Sequence, residues 1–133
     1  MPTLWGKSMR TLLDTNCILR YLLADVPGQA ERVGECIEKG ASTAPEFLSE
    51  CVFVLSGKVY GFSRAEVSDA LSAVLDEVEC EHAAAMQEAL RMYRSTALDF
   101  PDCILAARHT VEGVPVMTFD RKLSKLLDSL ELE

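Results

Sequence analysis

The residues of this sequence best suited to chemistry are carboxylates at the ends of predicted elements or in apolar surroundings. Oxygen ligands without accompanying histidine or cysteine are typical of sites for a hard cation such as Mg²⁺ or Mn²⁺. A cluster of this kind can hold two metals about 3.5–4 Å apart, one activating water and one stabilising the leaving oxygen. Metal-assisted hydrolysis at a phosphate is the chemistry that this set predicts: Asp14, Glu50, Asp99, Asp102 and Asp120.

Glu50 is the acid whose sequence surroundings are hardest to explain by structure alone. At helical spacing its neighbours are Phe47, Phe53 and Val54, and no lysine or arginine lies one turn away. A buried carboxylate without a partner is costly or takes up a proton, so it needs a cation or a hydrogen-bond donor. Two interpretations stay open here: a glutamate exposed at the edge of its helix, or a functional one.

The four aspartates each have an ordinary structural alternative. Asp14 and Asp120 follow predicted strands, where turn and N-cap residues are common. Asp99 and Asp102 stand at a predicted helix start, with Asp99 as the N-cap and Asp102 in the first turn. Two carboxylates within one turn also make a strongly negative neighbourhood unless a cation neutralises it.

The elements that must position these acids are strands alternating with helices. Strands are predicted for the segment that ends at Asp14, for 41–45, for 78–80 and for the β-branched segment 114–119 that ends before Asp120. This order indicates an α/β fold with a doubly wound, mostly parallel sheet. Because ligands bind at the carboxyl ends of parallel strands, Asp14 and Asp120 are expected at one edge of that sheet.

Capping chemistry predicts several helix boundaries. Asp25 is the expected N-cap of a helix that Gly40 ends, and Ser63 begins another helix with a capping box. Asp99 begins the helix that Gly113 closes, and an amphipathic helix follows Asp120.

Composition limits the classes of function. With 133 residues and a net charge of −8, the chain is expected to form one domain without a broad basic surface for non-specific nucleic-acid binding. Five scattered cysteines and two histidines argue against a zinc site and against a disulfide framework. We expect an N-terminal extension over 1–8, a single domain over 9–133, no membrane segment and a cytoplasmic location.

Four motifs in order, LLDTN, SECVFVL, DFPDCILAA and TFDRKL, resemble those of the PIN-domain family. The resemblance is strongest to the VapC-type toxin ribonucleases of type II toxin–antitoxin systems. It implies a compact three-layer α/β/α fold with a central, mostly parallel sheet, and an endoribonuclease that depends on Mg²⁺ or Mn²⁺. Its four main acids match Asp14, Glu50, Asp102 and Asp120, with Asp99 as an auxiliary acid.

The same resemblance implies supporting residues and partners. Asn16 and Thr118 match positions that support the acids by hydrogen bonding, and Thr15 is expected to help orient them. A VapB-type antitoxin and a homodimer are typical of such toxins. Arg121 and Lys122 are candidates for contacting phosphates of a specific, structured RNA, although a solvated helix face is their ordinary alternative.

Two competing functions remain at this point. One is a different acidic-cluster phosphohydrolase, or a phospho-acceptor domain with Asp14 as the nucleophile. That class favours a second carboxylate two positions later, where this chain has Asn16. The other is a PIN-like scaffold that binds a partner without catalysis. If the acids do cluster, removing the charge of Asp14 or Asp102 is expected to raise the melting temperature without metal.

Overall fold

A three-stranded parallel sheet forms the centre of the topology. The computed structural model describes residues 9–131, so the predicted extension over 1–8 lies outside the described residues. The strands follow the order β1-β2-β3, with Thr11 opposite Ala41 and Ser42 opposite Glu79. Their bounds are β1 Thr11–Leu12, β2 Ala41–Thr43 and β3 Glu79–Cys80.

Helices make both parallel crossovers and most of the rest of the described chain. α1 and α2 connect β1 to β2, and α3 and α4 connect β2 to β3. The predicted α/β/α class with a parallel sheet is therefore confirmed. Within residues 9–131 no helix is long and apolar enough to cross a membrane. The helices are α1 Thr15–Leu23, α2 Pro27–Lys39, α3 Pro45–Ser56, α4 Arg64–Glu77, α5 Ala83–Ser95, α6 Phe100–Glu112 and α7 Arg121–Glu131.

Local capping chemistry explains most helix ends. The capping box at the start of α4 is present, with the Ser63 hydroxyl accepting from Glu66 N–H and the Glu66 carboxylate accepting from Ser63 N–H. Gly113 closes α6 with a φ of 72°, which favours glycine. The prediction of Asp25 as the N-cap of α2 is wrong, because Val26 holds that position. Asp25 instead lies 3.6 Å from the Arg20 guanidinium.

The strand predicted over 114–119 is not formed. The segment keeps the alternation of a strand, since Val116 is half-buried while Met117 and Phe119 are 84% and 91% exposed. No strand within residues 9–131 pairs with it, so its backbone lacks the ladder that defines a strand. β1 consequently lies at the edge of the sheet, with Leu12 61% exposed, and Asp120 does not follow a sheet strand.

One hydrophobic core joins the sheet to helices on its faces. α5 packs against α6 and α4, α1 packs against α2, and α3 contacts α1, α4 and α6. This packing fixes the N-termini of α4 and α6 beside the middle of α3, where the candidate site lies. The largest side chains with no more than 1% exposure are Ile18, Leu48, Leu55, Leu71, Met86, Leu90 and Leu123.

Candidate active site

A cleft of about 530 Å³ has three of the predicted acids on its walls. Glu50 comes from α3, whereas Asp99 and Asp102 come from the start of α6. The cleft also contains Phe53 of α3 and Arg64, the first residue of α4. Residues separated by about fifty positions in the sequence therefore face one solvent-accessible space.

The start of α6 turns its acids toward this cleft because its apolar residues face the core. Phe100 and Cys103 are buried, with exposures of 2% and 0%, so Asp99 and Asp102 project from the other side of the first turn. Asp99 holds the N-cap position, but its side chain makes no capping hydrogen bond. The capping interpretation accounts for the position of Asp99 and not for the orientation of its carboxylate.

Asp102 carries the electrostatic signature of a crowded acidic site. Burial is the main cause that raises the pKa of its carboxyl above the usual value, followed by the negative charges of Asp120 and Asp99. The charge of Asp120 therefore reaches the cleft from the start of α7. Ionising Asp102 costs free energy in this environment, and a cation would relieve that cost.

Glu50 is exposed and lies on the side of α3 that faces away from the core. Leu48, Cys51, Val52 and Leu55 fill the buried side of that helix. Phe53 is 81% exposed beside Glu50. Glu50 thus has the exposure that the first interpretation expects, and its carboxylate also lies on the wall of the cleft.

Thr15 connects the turn after β1 to Glu50. Its hydroxyl lies 3.3 Å from Glu50 Oε2 and 3.3 Å from the Phe47 carbonyl oxygen, and it can donate to either. Thr15 is only 8% exposed. Burial raises the pKa of the adjacent Cys51 thiol to about 12, and the charges of Glu50 and Asp14 add to that effect. Both carboxylates therefore act on the same buried thiol from the solvent side.

Asp14 is the N-cap of α1. Its Oδ1 accepts the Cys17 backbone N–H at 2.9 Å, and this hydrogen bond is the main cause that lowers the pKa of the Asp14 carboxyl. Asn16, two residues after Asp14, is exposed. It borders a different groove together with Arg20 and Arg32. The structure therefore separates Asn16 from the cleft that contains Glu50.

Asp120 has the same relation to α7 that Asp14 has to α1. Its Oδ1 accepts the Leu123 backbone N–H at 2.8 Å, and its own N–H donates to the Thr118 hydroxyl at 3.0 Å. Arg121 and Lys122, the next two residues, are exposed at the start of α7. Thr118 thus fixes the backbone of the residue whose charge reaches Asp102.

Asp14 and Asp120 are not on the walls of the cleft, and the five acids do not converge on one point. Within residues 9–131, no three histidine, cysteine, aspartate or glutamate side chains lie close enough to share a metal ion. The capping hydrogen bonds hold Asp14 and Asp120 to their own helices. The donor set nevertheless fits a hard divalent cation, since it consists of carboxylate oxygens and includes a carboxyl under like-charge repulsion.

Two residues of the cleft were not found by sequence reasoning. Arg64 Nε donates to the Tyr93 carbonyl at 2.6 Å, and its Nη2 donates to the Leu98 carbonyl. Its guanidinium carbon lies 3.7 Å from the centre of the Tyr93 ring. Nothing in the sequence distinguishes Arg64 from other arginines at helix starts. The spacing of Phe53, three residues after Glu50, could have indicated it. The direction of its side chain, however, depends on tertiary packing.

Comparison with known protein families identifies the family of this chain. The sequence profile described as PIN domain matches residues 11–127, which is most of the 133-residue chain. Comparisons with curated proteins and with solved structures found no significant match. The matched range runs from β1 into α7 and includes the five acids described above. The chain therefore belongs to the PIN domain family.

Proposed function

We propose that this chain is an endoribonuclease that hydrolyses RNA phosphodiester bonds with the help of Mg²⁺ or Mn²⁺. PIN domains are generally nucleases, which sets the class of reaction. The observation that carries the finer proposal is the cleft in which Glu50, Asp99 and Asp102 face one another from two helices. A carboxylate cluster facing solvent is suited to a divalent cation and a phosphate rather than to an organic cofactor.

The residues proposed to hold the cation are the acids around the cleft. The carboxylates of Glu50 and Asp102 make no hydrogen bond to their own helix, and Glu50 accepts only from the Thr15 hydroxyl of the neighbouring turn. Asp14, Asp99 and Asp120 complete the proposed set. When bound, the metal would supply a water of lowered pKa and positive charge for the developing oxyanion.

Other residues of the chain orient the acids and the substrate in this proposal. Thr15 restrains Glu50 through its hydroxyl, and Thr118 fixes the backbone of Asp120. Asn16 would act only if the turn after β1 rearranged, because it borders a different groove. Arg121 and Lys122, exposed beside Asp120, would contact phosphates that flank the cleaved bond.

We further propose that the chain is the toxin of a toxin–antitoxin pair and acts in the cytoplasm. The motif resemblance to VapC-type toxins supports this setting, and with it a VapB-type antitoxin and a homodimer. The net charge of −8 favours a specific, structured RNA over broad electrostatic capture. The cation at the cleft would offset the repulsion between this acidic chain and a phosphate backbone.

Cleavage of labelled RNA by the purified chain tests the proposal. We expect cutting in Mn²⁺, no cutting in EDTA, and a loss of about a hundredfold or more in rate for Glu50→Gln. Glu46→Gln is the matched control, since Glu46 is an exposed acid on the same helix and does not border the cleft. No cutting by the parent would favour the non-catalytic scaffold instead, and equal rates for the two variants would show that Glu50 does not take part in cutting.

A further inference from the structure

We propose that Arg64 and Phe53 form a nucleotide-binding subsite on the walls of the acid cleft. Arg64 would bind a phosphate next to the cleaved bond, and Phe53 would stack on an unpaired base of the same RNA strand. The inference rests on the proposed nuclease function and specifies the part of the RNA that the cleft holds. It requires a single-stranded stretch, such as a loop in a structured RNA.

Arg64 is a half-buried cation whose charge has no acidic partner among residues 9–131. Within the described chain, no carboxylate lies at ion-pair distance from it. The carbonyls of Tyr93 and Leu98 accept two of its N–H groups, and a guanidinium has five to donate. The remaining donors are available to a ligand in the cleft that Arg64 borders. A phosphate oxygen is the ligand that best matches a fixed guanidinium.

The fixed position of Arg64 explains why it does not neutralise the acids. Stacking on the Tyr93 ring and the two carbonyl hydrogen bonds hold the guanidinium at the base of α4. Its charge is not among the causes that shift the pKa of Asp102. The cleft therefore keeps a cationic wall and an acidic wall side by side. An RNA backbone bound by metal at the acids would present its neighbouring phosphate to the cationic wall.

Phe53 supplies the aromatic surface that an unpaired base requires. Its ring is 81% exposed and lies on the same cleft as Arg64, three residues after Glu50. Base stacking on an exposed aromatic ring is the usual means by which proteins hold single-stranded nucleic acid. A cation and an aromatic ring beside the reacting acids favour a nucleotide over an apolar peptide as the occupant.

Binding of a short RNA tests the subsite separately from cleavage. The probe is a fluorescein-labelled ten-adenosine RNA, followed by stopped-flow fluorescence anisotropy in Mg²⁺ at low salt, at times before cutting begins. We expect Phe53→Ser to weaken binding about tenfold and Phe53→Trp to preserve it. Val59→Ser is the matched control, because Val59 is 86% exposed and apolar but does not border the acid cleft. Its affinity should stay within about twofold of the parent.

Arg64→Gln tests the phosphate contact with a readout that folding does not move. Arg64→Gln should weaken the binding of the same RNA about tenfold. It should also make the fall of log affinity with log salt less steep, by about 0.7 in slope. A merely structural role of Arg64 would lower the melting temperature and leave that slope unchanged. An unchanged slope would therefore overturn the phosphate contact.

The remaining outcomes distinguish this subsite from the nuclease function. If the parent cuts RNA but Phe53→Ser binds as tightly as Val59→Ser, the subsite is wrong and the nuclease stands. If binding depends on Phe53 and Arg64 but no cutting occurs with Mn²⁺, the nuclease is wrong and the subsite stands. Failure of the parent to bind the RNA overturns the subsite. The subsite is also overturned if Phe53→Ser and Val59→Ser both change the oligomeric mass of the protein equally while their affinity for RNA stays unchanged. That result would identify a protein interface.

Discussion

The starts of α1 and α6 both carry aspartate, yet the two carboxylates are in opposite electrostatic situations. Asp14 accepts the Cys17 N–H, and this bond lowers the pKa of its carboxyl. Asp102 makes no such bond, and burial together with Asp120 and Asp99 raises the pKa of its carboxyl. The first acid stabilises its helix, whereas the second is under repulsion. An acid under unrelieved repulsion beside a cleft is a stronger indication of function than an acid at a helix start.

This comparison changes what we expect of charge removal at Asp14 and at Asp102. Clustered acids suggested that removing the charge of either Asp14 or Asp102 would raise the melting temperature. The structure supports that expectation for Asp102 only, since the charge of Asp14 is used in a capping hydrogen bond. The two positions should therefore respond with opposite signs, and three measurements can test the difference.

Metal addition should give the largest effect. Mn²⁺ at about ten times its dissociation constant is expected to stabilise the parent by about 1.4 kcal/mol, because it binds the folded state. Asp102→Asn should lose most of this stabilisation, while Glu46→Gln, an exposed acid outside the cleft, should keep it. Thermal unfolding with and without Mn²⁺ measures both variants. Equal responses would show that Asp102 does not contribute to a metal site.

Removing the cap of α1 should give an intermediate effect. Asp14→Ala is expected to lower the free energy of unfolding by about 1 kcal/mol without metal, since the Cys17 N–H loses its acceptor. Asp14→Asn should lose less, because asparagine also caps helices well. Urea denaturation provides the values. A higher stability for Asp14→Ala would mean that repulsion, rather than capping, dominates at this end of the cleft.

Relieving the repulsion at Asp102 should give the smallest effect. Without metal at pH 7, Asp102→Asn is expected to raise the free energy of unfolding by about 0.5 kcal/mol, after allowance for solvent screening. The pKa of Asp102 is raised in the folded state, so its ionised form destabilises the fold at high pH. The gain should shrink as pH falls through the raised pKa of Asp102, because the carboxyl then becomes protonated in the folded state. Urea denaturation at several pH values measures this trend, and a pH-independent gain would contradict it.

Local chemistry made most helix boundaries predictable, whereas strand formation depended on distant residues. The Ser63 and Glu66 capping box involves atoms within one turn, and so does the glycine end at Gly113. The segment 114–119 has the β-branched composition and the alternation of a strand. Whether it pairs depends on a neighbouring strand with free backbone groups, which no local pattern specifies.

The candidate site likewise contains residues that local sequence predicts and residues that only packing defines. Residue types and their order along the chain selected five acids, of which the structure puts Glu50, Asp99 and Asp102 on one cleft. The outward direction of Phe53 was not predictable, since α3 is apolar on several sides and packing decides which side is buried. Arg64 is defined by contacts to Tyr93 and Leu98, about thirty residues later in the chain.

The capping bonds at Asp14 and Asp120 also limit the denticity of these carboxylates. Each already uses Oδ1 to accept a backbone N–H, so each is left with Oδ2 to offer a cation and is suited to monodentate coordination. Ca²⁺ commonly takes bidentate carboxylates in a wide, flexible shell, whereas Mg²⁺ prefers a small octahedral shell that retains several waters. If these two acids hold the proposed cation, the hydrogen bonds that begin α1 and α7 would favour the smaller ion.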